Sequence, residues 1–234
     1  MPTAYVNSTV GLTEALADGA IGGIVIMPGT YQLDTANVCD GDSWLCVDRA
    51  MTIQAAEAGT VVLDARGQRR VFHITVTGVQ LEGLNITGGN GSSLWNATAN
   101  ASRWGGNVVG GGLLIQGGET SLVSCNIFGC TAHTDEVDST GRRKNGMGGG
   151  VFLDEGCNAL LLGCSVHGNR ADQGGGVKVE PGANATLIDC RVFGNVADYN
   201  GFGFGGGLRI DGGGTGVSWL VCDPAALKLG VGLS

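Results

Sequence analysis

Proline is scarce in this sequence, with 4 residues in 234 against 45 glycines. Collagen is excluded because it combines a strict Gly-X-Y period with abundant proline, and a proline-rich linker is excluded as well. Charged residues are also few, at 15%, whereas apolar residues make up 43%. Chains that stay unfolded are poor in apolar residues and strongly charged, so the sequence predicts a folded protein.

Basic residues are the second shortage. Lys and Arg number 13 against 21 Asp and Glu, which gives a net charge of -8. Nucleic-acid binders need a basic surface for the phosphate backbone, so we expect no nucleic-acid partner. No apolar run reaches the length of a membrane-spanning helix, and Met1-Pro2 is not followed by a basic and then an apolar segment. The sequence therefore predicts neither a transmembrane segment nor a signal peptide in this chain.

Cysteines and glycosylation sequons, in contrast, are plentiful. The chain has 8 cysteines, and Asn-x-Ser/Thr sequons begin at Asn7, Asn85, Asn96, Asn100 and Asn184. Both features favour the secretory route, so we expect a secreted or cell-surface protein. The missing signal peptide leaves two alternatives: the chain is a mature or cut fragment, or the protein never leaves the cell.

Glycine occurs in a repeat. Triplets begin at Gly110, Gly148, Gly174 and Gly205, and each precedes an alternating apolar strand such as VFLDEG. After the first three triplets a cysteine follows 15 or 16 residues from the first glycine, and a short apolar piece such as NALLLGC lies between. The distance from one triplet to the next varies far more, which places the insertions at one turn of the repeat.

Three short strands per repeat, bounded by Gly, Asn or Asp, are typical of a parallel β-helix, in which every coil pairs with its neighbours. The sequence therefore predicts an all-β fold, a right-handed parallel β-helix of about six to seven coils over residues 23–222. The segment STVGLTEALA, from Ser8 to Ala17, predicts a helix in an N-terminal cap at residues 1–22 that covers the first coil. Residues 223–234 are expected to form a C-terminal tail of the same single domain.

Alternation along the strands decides which side chains face the core. The inward positions of the triplet strands are Leu113, Ile115, Val151, Leu153, Val177, Val179, Leu208 and Ile210.

Five of the cysteines can be interpreted from this register. Cys125, Cys164 and Cys190 share one inward position, and we expect a column of small buried thiols there rather than a metal site, because no CxxC spacing occurs. Cys39 and Cys46 fall outside the register and close a short loop, so they are the candidate disulfide.

The segments GGGVFL, NALLLGC and SVHGNRA resemble the repeat of chlamydial polymorphic outer membrane proteins, whose signatures are GGA followed by Ile, Leu or Val, and FxxN. Phe193-Gly194-Asn195 fits FxxN only loosely, one residue short. The helix followed by IVIMPGTY resembles the start of many pectate-lyase-like β-helix proteins. Both resemblances imply a scaffold and no particular reaction.

The outward positions of the triplet strands form two columns. Leu114, Phe152, Lys178 and Arg209 make up one, and Gln116, Asp154, Glu180 and Asp211 the other. One interpretation is a solvated face of alternating charge.

A second interpretation makes this face a site. Carboxylates on a rigid face suit calcium, so Asp154, Glu180 and Asp211 are candidate metal ligands, and no other cofactor is expected. Asp154 and Glu180 could also form the carboxylate pair of a glycoside hydrolase. The resemblance to pectate-lyase-like enzymes, whose cleft lies on the equivalent sheet, implies that Lys178 or Arg209 would be the catalytic base.

Three long insertions emerge at the same turn, at residues 90–109, 133–147 and 198–204, and could wall a groove beside this face. Their aromatic residues offer flat apolar surfaces to sugars or to a partner protein, or else fold back onto the coil beneath. The candidate ligand-binding residues are Trp95, Trp104, Phe152, Tyr199 and Phe202.

Three functions remain open from the sequence. The first is a non-catalytic surface scaffold that binds a glycan or a protein. The second is a polysaccharide lyase or glycoside hydrolase that acts on an acidic polysaccharide. The third is a structural subunit of a larger assembly, joined end to end through its C-terminal coil.

Overall fold

The computed structural model describes residues 1–33, 39, 42–93, 107–137, 141, 144–198, 204–211, 217–220 and 231–233. Within them, strands of successive repeats lie on one another in register. Three larger sheets, which we name A, B and C, form the walls of the helix, and two smaller ones, D and E, lie at the turn where the insertions emerge.

Sheet A consists of β1 Thr3–Val6, β2 Gly23–Ile26, β5 Met51–Ala55, β8 Val79–Glu82, β13 Glu119–Val123, β18 Asn158–Leu162, β22 Asn184–Ile188 and β26 Val217–Leu220. Sheet B consists of β3 Gly29–Gln32, β6 Val61–Asp64, β9 Leu84–Thr87, β14 Asn126–Phe128, β19 Ser165–His167 and β23 Arg191–Phe193. Sheet C consists of β4 Ser43–Val47, β7 Arg70–Ile74, β12 Leu113–Ile115, β17 Val151–Leu153, β21 Val177–Val179, β25 Leu208–Ile210 and β27 Val231–Leu233.

Sheet D consists of β15 Thr131–Ala132, β20 Arg170–Ala171 and β24 Val196–Ala197, and sheet E of β10 Ser92–Ser93, β11 Val108–Val109 and β16 Gly146–Met147. Among the strand pairs of the described residues, only β10 with β11 is antiparallel. The chain runs through sheets C, A and B in successive coils, and in the three coils that begin at β12, β17 and β21 it continues through sheet D. This order, with seven strands in sheet C, confirms the predicted parallel β-helix.

A left-handed backbone marks the corner between sheets A and B. Gly83, Ser124, Gly163 and Asp189 occupy this corner in four successive coils, with φ of 68°, 51°, 62° and 52°. Only glycine adopts such angles without cost, although Asp and Asn tolerate them. The corner therefore explains why a glycine or a small polar residue precedes each cysteine of the repeat.

The three glycines of a triplet are needed for two different reasons. The first has positive φ, as at Gly174 with 60°, and turns the chain back over the strand that follows. The next two leave no room for a side chain: a Cβ on Gly175 would lie 2.3 Å from the carbonyl oxygen of Val196, and one on Gly176 would lie 2.4 Å from that of Gly207. Because neighbouring coils approach so closely, the second and third positions of the triplet must be glycine.

The N-terminal region caps the first coil, as predicted. Helix α1 spans Thr9–Ala17, and the Ser8 hydroxyl at its N-cap accepts a hydrogen bond from the Gly11 amide. Arg49 donates to carbonyl oxygens at the other end of the helix, including those of Leu16 at 2.7 Å and Asp18 at 2.8 Å. Strand β1, which the sequence analysis did not predict, pairs with β2 and extends sheet A into the cap.

The core is made of in-register columns. The inward residues of the triplet strands pair as predicted, for example Leu113 with Val151 and Val177 with Leu208, and all but Ile210 are fully buried. Asn169 and Asn195 form an amide ladder at a bend, with Asn169 Nδ2 3.0 Å from Asn195 Oδ1. His167 stacks between Phe128 and Phe193, with ring centroids 5.3 and 4.8 Å apart.

The cysteine column is also confirmed. Cys125, Cys164 and Cys190 are buried free thiols, and the Cys164 Sγ donates to the carbonyl oxygen of Leu122 at 3.3 Å. The hydrogen bond with Cys125, together with burial, raises the pKa of Cys164 to about 12. All three thiols are buried among apolar side chains and act as small hydrophobic residues, so the column is part of the core.

Two further features of the fold are a disulfide and a strand near the C-terminus. Cys39 and Cys46, the candidate pair, are joined by a disulfide with their Cα atoms 5.8 Å apart. Strand β27 lies inside the segment predicted as a tail and pairs with β25. In the described part of the chain, no helix has the length and apolar character needed to cross a membrane.

Candidate functional site

The outward face of sheet C is covered by the segments that lead into the glycine triplets. Val109 pairs with Met147 in sheet E, and isolated bridges continue this ladder through Gln173 to Phe204. The positive φ of the first glycine places each of these residues over the strand that follows. A second layer of chain therefore lies on the face that was predicted to be open.

This cover buries the apolar residues of the first outward column. Leu114 and Phe152 pack with Val109 and Met147 in a cluster of their own, separate from the main core, and both are fully buried. The prediction that this column faces solvent is wrong at these positions, because strand alternation does not reveal a second layer. Phe152 accordingly offers no ring face to a ligand here.

Lys178, next in the same column, is buried between two carboxylates. Its Nζ lies 2.7 Å from Glu180 Oε1 and 2.6 Å from Asp211 Oδ2, and its side chain is 0% exposed. Arg209 Nε lies 2.7 Å from Asp211 Oδ1, and its guanidinium sits 5.0 Å from the centre of the Phe204 ring. The structure thus brings Lys178, Glu180, Asp211 and Arg209 together in one ion-pair cluster.

Asp154 is held by a separate chain of hydrogen bonds. Gln116 Nε2 donates to Asp154 Oδ2 at 2.8 Å, and the Gln116 amide oxygen lies 2.7 Å from His73 Nε2. Asp154 Oδ1 accepts from the Glu155 amide. His73 and Gln116, which the sequence analysis left without a role, therefore orient the buried Asp154.

Burial and ion pairing shift the pKa values of two carboxyl groups in this cluster in opposite directions. Burial raises the pKa of Glu180 above its ordinary value, and Lys178 only partly offsets this. Burial also favours a higher pKa for Asp211, but the hydrogen bonds that Lys178 and Arg209 donate have the larger effect, and the pKa is lowered. Glu180 is thus the more readily protonated group, and Asp211 remains an anion.

The predicted calcium ligands are not arranged as a set. Asp154, Glu180 and Asp211 follow one another along successive coils, but the Lys178 ammonium lies between the last two. Among the residues that the structure describes, no three His, Cys, Asp or Glu side chains converge to hold a metal ion. The face is a paired polar cluster under a cover.

The predicted aromatic binding residues of the insertions cannot be assigned a place. Trp95, Trp104, Tyr199 and Phe202 lie outside the described residues. Phe204, at the end of the third insertion, is described and is 52% exposed.

The outward face of sheet A is open, in contrast to that of sheet C. One column there runs through Thr52, Gln80, Ser121, Leu160 and Thr186, each paired with the next. All five side chains are partly exposed. Sequence reasoning missed this face because the second strand of each repeat carries no conspicuous motif.

Two shallow depressions lie on this face. One, of about 470 Å³, is lined by residues of β1, β2 and β5 that include Tyr5, Thr52 and Gln54. The other, of about 390 Å³, lies across β13, β18 and β22 and is lined by Glu119, Thr120, Ser121, Asn158, Ala159, Leu160, Asn184 and Thr186.

Comparison with known proteins agrees with this architecture. The family model for the right-handed β-helix region matches residues 38–219. This chain is a right-handed β-helix protein. No curated protein sequence matches it.

One solved structure resembles this β-helix: a mutant of the PL6-family alginate lyase AlyGC, at 14% identity and a TM-score of 0.40. The match covers 92% of this chain and 29% of the other. A likeness at this level does not bear on activity. The resemblance to polymorphic outer membrane proteins stays a prediction.

A further polar centre lies at the base of the second insertion. Asp172 is fully buried; its Oδ1 lies 2.6 Å from His133 Nδ1, and its Oδ2 accepts from the Gly146 amide at 2.6 Å. His133 begins the insertion and Gly146 ends it, so one carboxylate from the next coil closes both ends. His133 follows Ala132 and Asp172 follows Ala171, and the two alanines are paired in register. This equivalence is the signal from which the contact between His133 and Asp172 could have been predicted.

Proposed function

We propose that this chain is a non-catalytic β-helix scaffold, secreted or displayed at the cell surface, that binds an extended glycan along the outer face of sheet A. The supporting observation is that this face presents hydroxyl and amide side chains in register, coil after coil, and that no segment of the described residues covers them. The disulfide between Cys39 and Cys46 supports an oxidising location.

Hydroxyl and amide groups suit a glycan because each can both donate and accept hydrogen bonds. On sheet A they stand on neighbouring coils about 4.8 Å apart, so an extended polymer can repeat the same contacts. Asn158 and Asn184 are an example: their side chains bond to each other at 2.9 Å and remain partly accessible. A rigid, repeated face of this kind lowers the ordering cost of binding.

The structure of sheet C supports the non-catalytic part of the proposal. Its charged side chains are bonded to one another, and Lys178 is fully buried. A base in this position does not reach a polysaccharide on the surface. The candidate catalytic residues therefore have a structural explanation.

The experiment is a pair of arginine substitutions at matched serines. Ser121 lies on the outer face of sheet A and Ser165 on that of sheet B, and both are half-buried. Ser121→Arg places a bulky charged side chain in the proposed surface, whereas Ser165→Arg makes the same change outside it. We expect glycan retention in affinity electrophoresis to be lost in the first variant only; equal effects in both would contradict the proposal.

A second candidate is a carbohydrate-active enzyme, a polysaccharide lyase or glycoside hydrolase on an acidic polysaccharide. The observation that favours it is the raised pKa of the buried Glu180 beside the cation Lys178, since a carboxyl group with a raised pKa can act as a proton donor. In this role Glu180 would be the acid of a carboxylate pair with Asp154 in a hydrolase, and Lys178 or Arg209 would be the base in a lyase. Screening acidic polysaccharides with and without calcium, for wild type and Glu180→Gln, tests it: turnover that the variant loses would favour the enzyme.

A third candidate, a subunit that assembles end to end, depends on the C-terminal coil. Strand β27 continues sheet C beyond β25, which supports a coil there on which another copy could stack. Mass in solution tests this, and a monomer at high concentration would count against it.

A further inference from the structure

We infer that the glycan is an uncharged polysaccharide that lies parallel to the helix axis across β13, β18 and β22. This inference rests on the proposed function and narrows it to one ligand class. It is argued from three adjacent outward columns, the depression between two of them, and the charges on the face.

The first column is polar. Glu119 pairs with Asn158, and Asn158 with Asn184. The Asn184 Nδ2 donates to the Asn158 Oδ1 at 2.9 Å, which fixes the two amides relative to each other. This column forms one edge of the 390 Å³ depression and supplies donors and acceptors for sugar hydroxyls.

The third column is aliphatic. Val123, Leu162 and Ile188 are paired in register and partly exposed, and Leu162 is 37% exposed. Exposed apolar side chains that line up along three coils form a continuous stripe, which is more informative than a single exposed residue. The stripe runs beside Ser121, Leu160 and Thr186 of the middle column.

The combination matches the surfaces of a pyranose ring. Such a ring has apolar C–H faces and a rim of hydroxyl groups. The amides and the stripe lie on opposite sides of the middle column, each about 6.7 Å from it, so a chain laid along the axis over the middle column would have hydroxyls towards the amides and C–H groups towards the stripe. The columns run in the direction of the axis, so each coil offers the same arrangement.

The charges on the face decide between neutral and acidic glycans. Its charged side chains among the described outward residues of sheet A are Glu82 and Glu119, and Asp189 stands at the adjoining corner. None of these outward residues is Lys or Arg. The carboxylates of a uronate polymer would be repelled by these side chains. An uncharged sugar is not repelled.

The test compares soluble mixed-linkage β-glucan, xylan and galactomannan with alginate and polygalacturonate by affinity electrophoresis and calorimetry. We expect at least one neutral polymer to bind at least about tenfold more tightly than either acidic one, with little dependence on salt. Leu162→Asp should weaken neutral binding by about tenfold or more, while Ser165→Arg should leave it unchanged. Thermal melts of each variant check that the fold is intact.

Glu82→Gln probes the exclusion of acidic polymers, because Glu82 lies on β8, next to the three strands of the proposed site and outside them. It should raise retention by alginate and leave neutral binding unchanged. Preferred binding of an acidic polymer that Ser121→Arg abolishes would overturn the inference and leave the proposed function standing. If no polymer bound, the proposed function would fall with it.

Discussion

The ammonium group of Lys178 lies 2.7 Å from the carboxylate of Glu180, and both side chains are buried beneath the second layer of chain. Replacing Lys178 with Met would leave Glu180 and Asp211 without their shared cation. Because breaking a buried ion pair exposes the full cost of desolvation, we expect Lys178→Met to lower the free energy of unfolding by about 3 kcal/mol, measured by urea denaturation.

Lys144 provides a matched control for that substitution. It pairs with Glu136 at the same distance of 2.7 Å, but the Glu136 side chain is 70% exposed, and such pairs contribute about 1 kcal/mol or less. Lys144→Met should therefore have a small effect. Equal losses in the two variants would show that the Lys178 cluster is not buried in solution.

The pH dependence of stability should follow Glu180. Its pKa is raised in the folded state, so its contribution is fully present below its ordinary value of 4.5 and is lost as the pH rises through the folded value. Glu180→Gln removes this loss. The free energy of unfolding of the variant minus that of wild type should therefore be larger at about pH 7 than at about pH 4. Denaturation of both proteins at the two pH values measures this difference.

Asp211 should act in the opposite direction. Its pKa is lowered, so its stabilising contribution is present above its ordinary value of 3.8 and is lost as the pH falls through the folded value. Asp211→Asn should therefore reduce the acid sensitivity of the protein below that value. A pH profile identical in wild type and in both variants would contradict the assigned directions.

Two glycine-to-alanine substitutions separate conformational cost from steric cost. Gly163 has φ of 62°, and a Cβ there would meet its nearest atom at 3.8 Å, so Gly163→Ala should cost only about 1 to 2 kcal/mol for the left-handed backbone. At Gly175 a Cβ would lie 2.3 Å from a carbonyl oxygen of the next coil. Gly175→Ala should therefore destabilise by more than about 4 kcal/mol or prevent folding.

Thermal melts of both variants would check this difference. Gly156→Ala adds a control, because that glycine also has positive φ and nothing lies within 4 Å of its Cβ position. A Gly175→Ala melt close to that of Gly163→Ala would show that neighbouring coils do not approach as closely as described.

The fold could be predicted from the sequence because its constraints are repeated. The three coils that carry Cys125, Cys164 and Cys190 each have a left-handed corner before the cysteine and two positions without room for a Cβ at the triplet. These demands recur at fixed spacing and leave glycine and cysteine in register. Inward facing then follows from strand alternation.

The candidate site could not be predicted in the same way. Alternation assigns Phe152 an outward side, but it does not show that Met147, beyond a positive-φ glycine, turns back and packs on it. Similarly, the Gly146 amide reaches Asp172 only because the second insertion returns to the turn from which it left. Such contacts depend on how chain segments of different length return to the same corner, and the sequence does not encode that in a local pattern.

The base of the second insertion gives the last prediction. Asp172 accepts from the Gly146 amide and lies 2.6 Å from His133 Nδ1, so Asp172→Asn removes the negative charge from both contacts. We expect a loss of about 1 to 3 kcal/mol, because hydrogen bonds to a charged group are stronger than those to a neutral one, and faster hydrogen exchange at the Gly146 amide. Asp198 is the matched control: it occupies the equivalent position one coil further on, is 47% exposed and lies 3.4 Å from Arg170, so Asp198→Asn should change stability by less than about 1 kcal/mol. Unchanged exchange at Gly146 in the Asp172 variant would mean that this carboxylate does not hold the insertion closed.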